Sequence, residues 1–224
     1  MDKPDFEKLP SLPPEGSRGQ AVFEALRAAI HAGHLRPGMT MREEQVAERF
    51  SLSRTPVREA FARLLGQSLL EHGGGRGLIV RSLGTTEVYE LYAMREVLEG
   101  AAAGLAAHHA GPAEHAALQS LQERFSALSA DDIEEAVHIN RRFHDEIRQA
   151  ARNRYLDGAL DQMADGIALL GETTLSDPER HAKAVTEHQA ILDAIKAGDA
   201  TAAESAGRQH IHEAFLKRKT AFRS

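Results

Sequence analysis

The chain has 224 residues, 42% hydrophobic and 27% charged, enough for one large domain or two modest ones. It contains no cysteine, which excludes disulfides and thiol catalysis and suits a reducing cytoplasm. No stretch approaches the roughly 18 consecutive apolar residues of a membrane span. The acidic, proline-rich start MDKPDFEKLPSLPPEGS lacks the apolar segment of a secretory signal, so residues 1–17 read as a mobile tail. The formal net charge is −6 but unevenly spread: residues 1–82 carry 12 Lys and Arg against 10 Asp and Glu, and residues 83–224 carry 15 against 23. That sign difference puts any nucleic-acid surface in the N-terminal third.

Helical periodicity begins near Gln20, with Val22, Leu26, Ala29 and Ile30 on one apolar face. Leu35-Arg36-Pro37-Gly38 is a turn. Thr40 followed by Glu43 fits a capping box, which predicts a second helix from Met41 to about Phe50. Ser53 is placed to cap a third, from Arg54 to about Gln67, with Pro56 tolerated in its first turn. Leu69–His72 and Leu78–Arg81 read as two short strands joined by the glycine-rich tip Gly73–Gly77. Helix, turn, helix, short turn, helix and hairpin make a winged helix-turn-helix over residues 18–82. Residues 83–86 are the linker. Beyond it the expected helices are Thr86–His109, Pro112–Leu128, Asp131–Ala151, Arg154–Leu170, Asp177–Ala197 and Ala200–Thr220. Six antiparallel helices with short loops predict an all-α bundle over residues 87–224.

The segment Ser53-Arg54-Thr55-Pro56-Val57-Arg58 opens the third helix, the part of such a motif that enters the major groove. Arg54 and Arg58 share a helix face and can fork onto guanine or phosphate, while Ser53 and Thr55 offer hydroxyls to phosphates. Val57, Ala60, Phe61 and Leu64 form the inward face. The same string alone would also suit a capped, solvated surface helix; its neighbours favour DNA reading. Gly73–Gly77 is not a nucleotide-phosphate loop, because no Lys-Ser/Thr pair follows and a strand replaces the expected helix. It reads as a wing whose Arg76 reaches a groove or phosphate.

The pieces LRAAIHAGHLRPGMTM, REEQVAERFSLSRTPVREAFARL and LLEHGGGRGLIV resemble the GntR family of bacterial winged-helix regulators. The resemblance implies DNA contacts by Arg54, Thr55, Arg58 and Gly77. Glu44 departs from the pattern: several relatives have a DNA-contacting arginine there, and an acid repels phosphate. Arg42 and Arg49 are the nearby substitutes.

Nine of the 12 histidines lie after residue 82. Asn140 and His144 sit four apart on one helix face, and His188 and His210 fall in later helices beside core-type residues. Such helix-borne histidines at long separation are more often buried or surface residues than ligands, although this set would suit zinc, nickel or a similar divalent ion. The segments LYAMREVLEGAAAGLAA, NRRFHDEI, EHQAILDAIKAGDA and RQHI resemble the helical ligand-binding domain of the FadR-type branch, called FCD. The resemblance implies a metal held by Asn140, His144, His188 and His210, with Asn140 standing where an Asp is usual. It also implies that Arg95 clamps the carboxylate of a small organic acid; the plain alternative for Arg95 is an ion pair with Glu99.

The expected protein is therefore a metabolite-responsive regulator in the cytoplasm, most often a repressor in this family, binding a palindromic operator as a homodimer. One alternative is a DNA-binding regulator whose bundle only dimerises. Another is a metal-dependent hydrolase, disfavoured because no H-E-x-x-H or positioned glutamate base is evident.

Overall fold

The computed structural model describes residue 4 and residues 6–13, 15–74, 77–129 and 131–221. The chain divides into two compact units, residues 1–84 with 164–172, and residues 85–163 with 173–224.

The first unit holds α1 (Arg18–His31), α2 (Glu43–Phe50) and α3 (Arg54–Gly66) around a small sheet. Ser17 starts α1 by accepting from the Gln20 N–H. Val22, Leu26, Val57, Leu64 and Leu69 are fully buried and carry the core. The sheet comprises β1 (Thr40–Met41), β2 (Leu70–His72) and β3 (Leu78–Val80), antiparallel in the order β1-β3-β2.

Strand β1, which the sequence did not predict, corrects the expected capping box. Thr40 pairs with Ile79, so its backbone is spent on the sheet, and α2 begins only at Glu43 behind Arg42 without a side-chain cap. Strand pairing outweighs the single bond a threonine cap supplies. Ser53 is the N-cap of α3 by position, but its side chain makes no capping bond. Part of the expected tail also packs. Residues Phe6–Lys8 form a 3-10 turn and Leu9 is buried at 3% exposure. In the far segment of this unit, Leu169 joins the same core and Asp165 accepts from Arg27 at 2.8 Å. Those two anchors group residues 164–172 with it.

The second unit is all helical: α4 (Thr85–His109), α5 (Pro112–Ser126), α6 (Ile133–Ala150), the first part of α7 (Arg154–Ala168), α8 (Pro178–Ala197) and α9 (Ala200–Ala221). Glu114 accepts from the Gly111 N–H at the start of α5, Asp177 caps α8, and Gly198 ends it at φ 70°. Leu118, Phe125, Ile139, Phe143, Ile191 and Leu192 are among the buried residues of its core. Glycine lets α4 and α9 approach closely. A Cβ on Gly207 would lie 3.2 Å from both Ala103 Cβ and Gly100 Cα. The close seam fixes His210, one turn along α9, relative to α4.

Gly207→Val should therefore lower the stability of the helical unit by about 1–3 kcal/mol through overpacking. Chemical denaturation followed by circular dichroism checks this, and an unchanged unfolding midpoint would show that the seam opens without cost.

Candidate metal centre and nucleic-acid interface

In the first unit, α2 and α3 are joined by a short turn in which Ser51 adopts the left-handed conformation at φ 52°. This turn presents the N-terminal end of α3. Ser53, Arg54, Thr55 and Arg58 are all exposed there, while Val57, Ala60, Phe61 and Leu64 face inward. The structure thus brings four of the expected DNA-reading residues onto one surface. Arg42 is exposed at the head of α2, and Gly77 is exposed at the base of the wing. Arg76 lies outside the described residues.

Arg49 is engaged elsewhere. Its guanidinium donates to the carbonyls of Phe6 at 2.7 Å and Leu9 at 2.9 Å. It ties down the N-terminal segment, a use that an N-terminus read as mobile could not reveal.

Arg54 and Arg58 are held by acids. Glu43 pairs with Arg54 at 3.0 Å and with Arg58 at 2.8 Å, and Glu44 pairs with Arg54 at 3.0 Å. Burial opposes ionisation of Glu43, but the bonds from Arg58 and Arg54 outweigh it and hold the carboxyl below its ordinary range. Any phosphate or base that takes Arg54 must compete with these carboxylates.

In the second unit, α6, α8 and α9 converge. His144, His188 and His210 each offer a ring nitrogen, and these atoms lie within 4.8 Å of one another. His188 is fully buried, stacked on Phe143 with ring centroids 4.3 Å apart. The Nε2 atoms of His144 and His210 face each other at 3.2 Å.

Two carboxylates set that orientation. Glu99 on α4 takes His144 Nδ1 at 2.8 Å, and Glu187 on α8 takes His210 Nδ1 at 2.7 Å. Each carboxylate is held in turn by an arginine: Arg95 Nε donates to Glu99 at 2.8 Å, and Arg180 Nη2 donates to Glu187 at 2.8 Å. Two Arg-Glu-His relays thus flank the centre. Arg95 makes the ion pair that its spacing from Glu99 allows, and its guanidinium also lies 5.0 Å from the Tyr92 ring centre. Asn140 lies one turn before His144 on α6, half-buried.

The charge states follow from burial and neighbours. Burial pushes His188 and His210 well below the ordinary histidine range, and the nearby cationic groups add to this. Burial opposes ionisation of Glu99, yet Arg95 and then His144 hold it well below the carboxylate range. Glu187 goes the other way: burial raises it despite Arg180.

Residues of this kind fit a divalent metal. A neutral imidazole whose Nδ1–H donates to a carboxylate has only a lone pair on Nε2. With both rings in that form, two lone pairs would meet at 3.2 Å, and a shared cation between them would relieve the repulsion. The spacing is close to the edge of a tetrahedron with metal–nitrogen bonds of about 2.05 Å, roughly 3.3 Å. His188 adds two buried ring nitrogens without a hydrogen-bond partner. Carboxylates behind metal-bound histidines fix tautomer and raise ligand basicity.

Sequence reasoning missed Glu99 as a histidine partner, and missed Glu187 and Arg180 altogether. Glu187 adjoins His188 and Glu99 follows Arg95 by one turn, which are faint signals. Arg180 gave none, since a charged residue in the first turn of a helix is ordinarily solvated.

A three-helix winged fold with exposed arginines at the start of its third helix, joined to a helical unit, is the architecture of a DNA-binding regulator. Comparison with known proteins gives the family. Residues 18–80 match "Bacterial regulatory proteins, gntR family" and residues 90–213 match "FCD domain". The chain belongs to the GntR family of transcriptional regulators, in the branch that carries an FCD domain. It is 31% identical over 186 residues to a probable D-xylose utilization operon transcriptional repressor of Paenarthrobacter nicotinovorans, covering 81% of this chain and 80% of that protein. It is 26% identical over 206 residues to the repressor RspR of Escherichia coli, covering 90% and 89%. Among solved structures, a GntR regulator of Rhodococcus sp. RHA1 superposes with a TM-score of 0.74 at 26% identity, over 92% of this chain and 99% of that one. E. coli McbR/YncC shares the fold at a TM-score of 0.77 and 23% identity, over 93% and 100%. The family and these relatives make the protein a DNA-binding transcription regulator rather than an enzyme. No helix among the described residues is long and apolar enough to cross a membrane.

Because Glu44 is exposed and bears on Arg54, Glu44→Gln should raise affinity for duplex DNA of any sequence several-fold at low salt. The gain should shrink as salt rises. Fluorescence anisotropy across a salt series checks this, and an unchanged affinity at every salt concentration would show that Glu44 lies away from the phosphates.

Proposed function

We propose that the protein is a repressor that binds a short inverted-repeat operator as a homodimer in the cytoplasm. On this reading its helical unit holds one divalent metal, zinc or a similar ion such as nickel, and a small carboxylate effector. Binding of the effector to one of two states shifts the population between higher and lower DNA affinity. The observation that carries the metal is the facing pair of Nε2 atoms, each on a ring whose Nδ1 is held by a carboxylate.

His144, His188 and His210 would hold the ion, with Asn140 as a fourth, neutral ligand. A bound ion would supply Lewis acidity to anchor an effector carboxylate. Glu99 and Glu187 keep two of the rings turned inward. Arg95, through its bond to Glu99, stabilises the first relay and remains the residue offered to an effector by the family resemblance.

For DNA, Arg54 and Arg58 would read bases or phosphates in the major groove. Ser53, Thr55, Arg42, Arg76 and Gly77 would contribute backbone contacts. Met94 and Val97 on α4 are 49% and 42% exposed, an apolar strip that supports contact with a second copy.

Two measurements test the reading. Selection of bound duplexes from a random pool should return an inverted repeat, and Arg54→Ala should weaken binding to it at least 10-fold with the circular dichroism spectrum unchanged. Full retention of affinity would remove α3 as the reading helix. Metal analysis of tag-free protein reloaded with zinc should give about one ion per chain, and His188→Ala should lose most of it. Equal metal content in the two proteins would exclude His188 as a ligand.

A further inference from the structure

Residues 6–13 precede the first helix, yet they are tied to the winged unit at two points. Arg49, in the last turn of α2, donates from Nε to the Phe6 carbonyl at 2.7 Å and from Nη2 to the Leu9 carbonyl at 2.9 Å. Arg18, the first residue of α1, donates from Nη1 to the Pro13 carbonyl at 3.0 Å. Between these ties Leu9 is buried, and Phe6 and Leu12 pack half-buried against the core that also takes in Phe50 and Leu52. Phe6, Leu9 and Leu12 recur at every third residue, so the apolar side chains of the segment share one side. The segment is therefore a strap joining the start of α1 to the end of α2.

The end of α2 is where support is needed. Helix α2 has only 8 residues and begins behind Arg42 without a side-chain cap; a helix this short does not hold by itself. The turn after it keeps Ser51 in the left-handed conformation at φ 52°, which costs energy for a residue with a Cβ. Ser53, at the head of α3, makes no capping bond. Within the turn, the Ser51 N–H donates to the Glu48 carbonyl at 3.1 Å and the Leu52 N–H to the Ala47 carbonyl at 2.9 Å. Beyond those bonds, packing must set the direction of α3. Arg49 stands four residues before Ser53, and its two charge-assisted bonds fix the last turn of α2 to the strap. Leu52, inside the turn, shares the core that buries Leu9.

We infer that residues 6–13 act as a positioning strap for DNA recognition, with Arg49 as the positioning residue through which the strap sets how α3 presents Arg54 and Arg58. This rests on the reading of α3 as the DNA-reading helix. A forked bond to a guanine edge tolerates little displacement, because two N–H groups must meet O6 and N7 together. Attraction between a guanidinium and phosphates acts over a longer range and tolerates more. Loosening the strap therefore removes sequence discrimination and leaves the general attraction to DNA in place.

Two readouts on the full-length protein test this. The first needs no DNA. In amide hydrogen exchange followed by NMR, Arg49→Ala should speed exchange at Ser51 and Leu52 by about 10-fold or more, while Leu26 and Ile30 of α1 keep their wild-type rates. Wild-type rates in the turn overturn the strap. The second compares the duplex recovered by selection with a scrambled duplex of equal length, by fluorescence anisotropy across a salt series. Arg49→Ala should lower the ratio of the two affinities by about 10-fold, with the salt dependence of each unchanged. An Arg49 that touches phosphate directly would instead weaken both duplexes alike and reduce the slope of log affinity against log salt by about one, and that result overturns the positioning role. Leu9→Ala loosens the strap without removing a charge and should reproduce both effects; wild-type behaviour in that variant overturns the strap too. If Arg49→Ala does not fold, Leu9→Ala decides alone. Arg54→Ala in the same titrations reports separately on α3. An unchanged affinity ratio there, beside faster exchange in the turn of Arg49→Ala, would sink the reading helix and spare the strap as a brace on the turn.

Discussion

Two imidazoles turn the same nitrogen toward each other because a carboxylate holds the opposite nitrogen of each. Everything else in the helical unit serves that constraint. Glu99 comes from α4, Glu187 from α8, His144 from α6 and His210 from α9, so four helices must keep register for the two Nε2 atoms to meet at 3.2 Å. The glycine seam between α4 and α9 sets the distance between two of those helices. The stack of Phe143 on His188 sets the third ring. Burying two glutamates and two arginines is tolerable only because each is paired, and each pair gives up some stability to hold a histidine in one tautomer.

Much of this molecule is legible in its amino-acid sequence, and the illegible parts have physical reasons. The helices of the second unit show clear punctuation, such as Gly111-Pro112 and Gly198, and glycine and proline act locally whatever the tertiary context. Helix α3 was visible because its polar face and buried face alternate at the helical period. Strand β1 was not, since Thr40 and Glu43 satisfy a helix-start pattern equally well. Only Ile79, 39 residues on, settles that Thr40 belongs to the sheet. The histidines were visible as candidates through family resemblance, not through spacing. Their partners were hidden for a different reason. Glu187 and Arg180 are charged residues inside a protein, where charge is ordinarily excluded, so composition argues against them until the fold shows them paired. Arg49 has a partner that its sequence position did not suggest. An arginine close to the expected reading helix invites a phosphate contact, but Arg49 Nε and Nη2 donate to the carbonyls of Phe6 and Leu9.

The acids at the proposed DNA-reading surface follow the same logic as those in the bundle, with a different outcome. In the bundle, carboxylates fix the orientation of neutral rings. At the reading surface, Glu43 and Glu44 occupy arginines whose charge would otherwise attract any phosphate. Non-specific affinity comes almost entirely from such attraction and falls steeply with salt. A duplex that offers only phosphates must displace the carboxylates for an equivalent ion pair and gains little. A duplex that also offers a guanine edge to Arg54 or Arg58 gains the forked bond as well. Since a genome presents vastly more wrong sites than right ones, the ratio between the two affinities governs occupancy. An acid that weakens all binding somewhat, and wrong binding more, improves that ratio. If Arg54 reads the operator as proposed, Glu44 would then be no failed DNA contact but the residue that makes the neighbouring arginine discriminate.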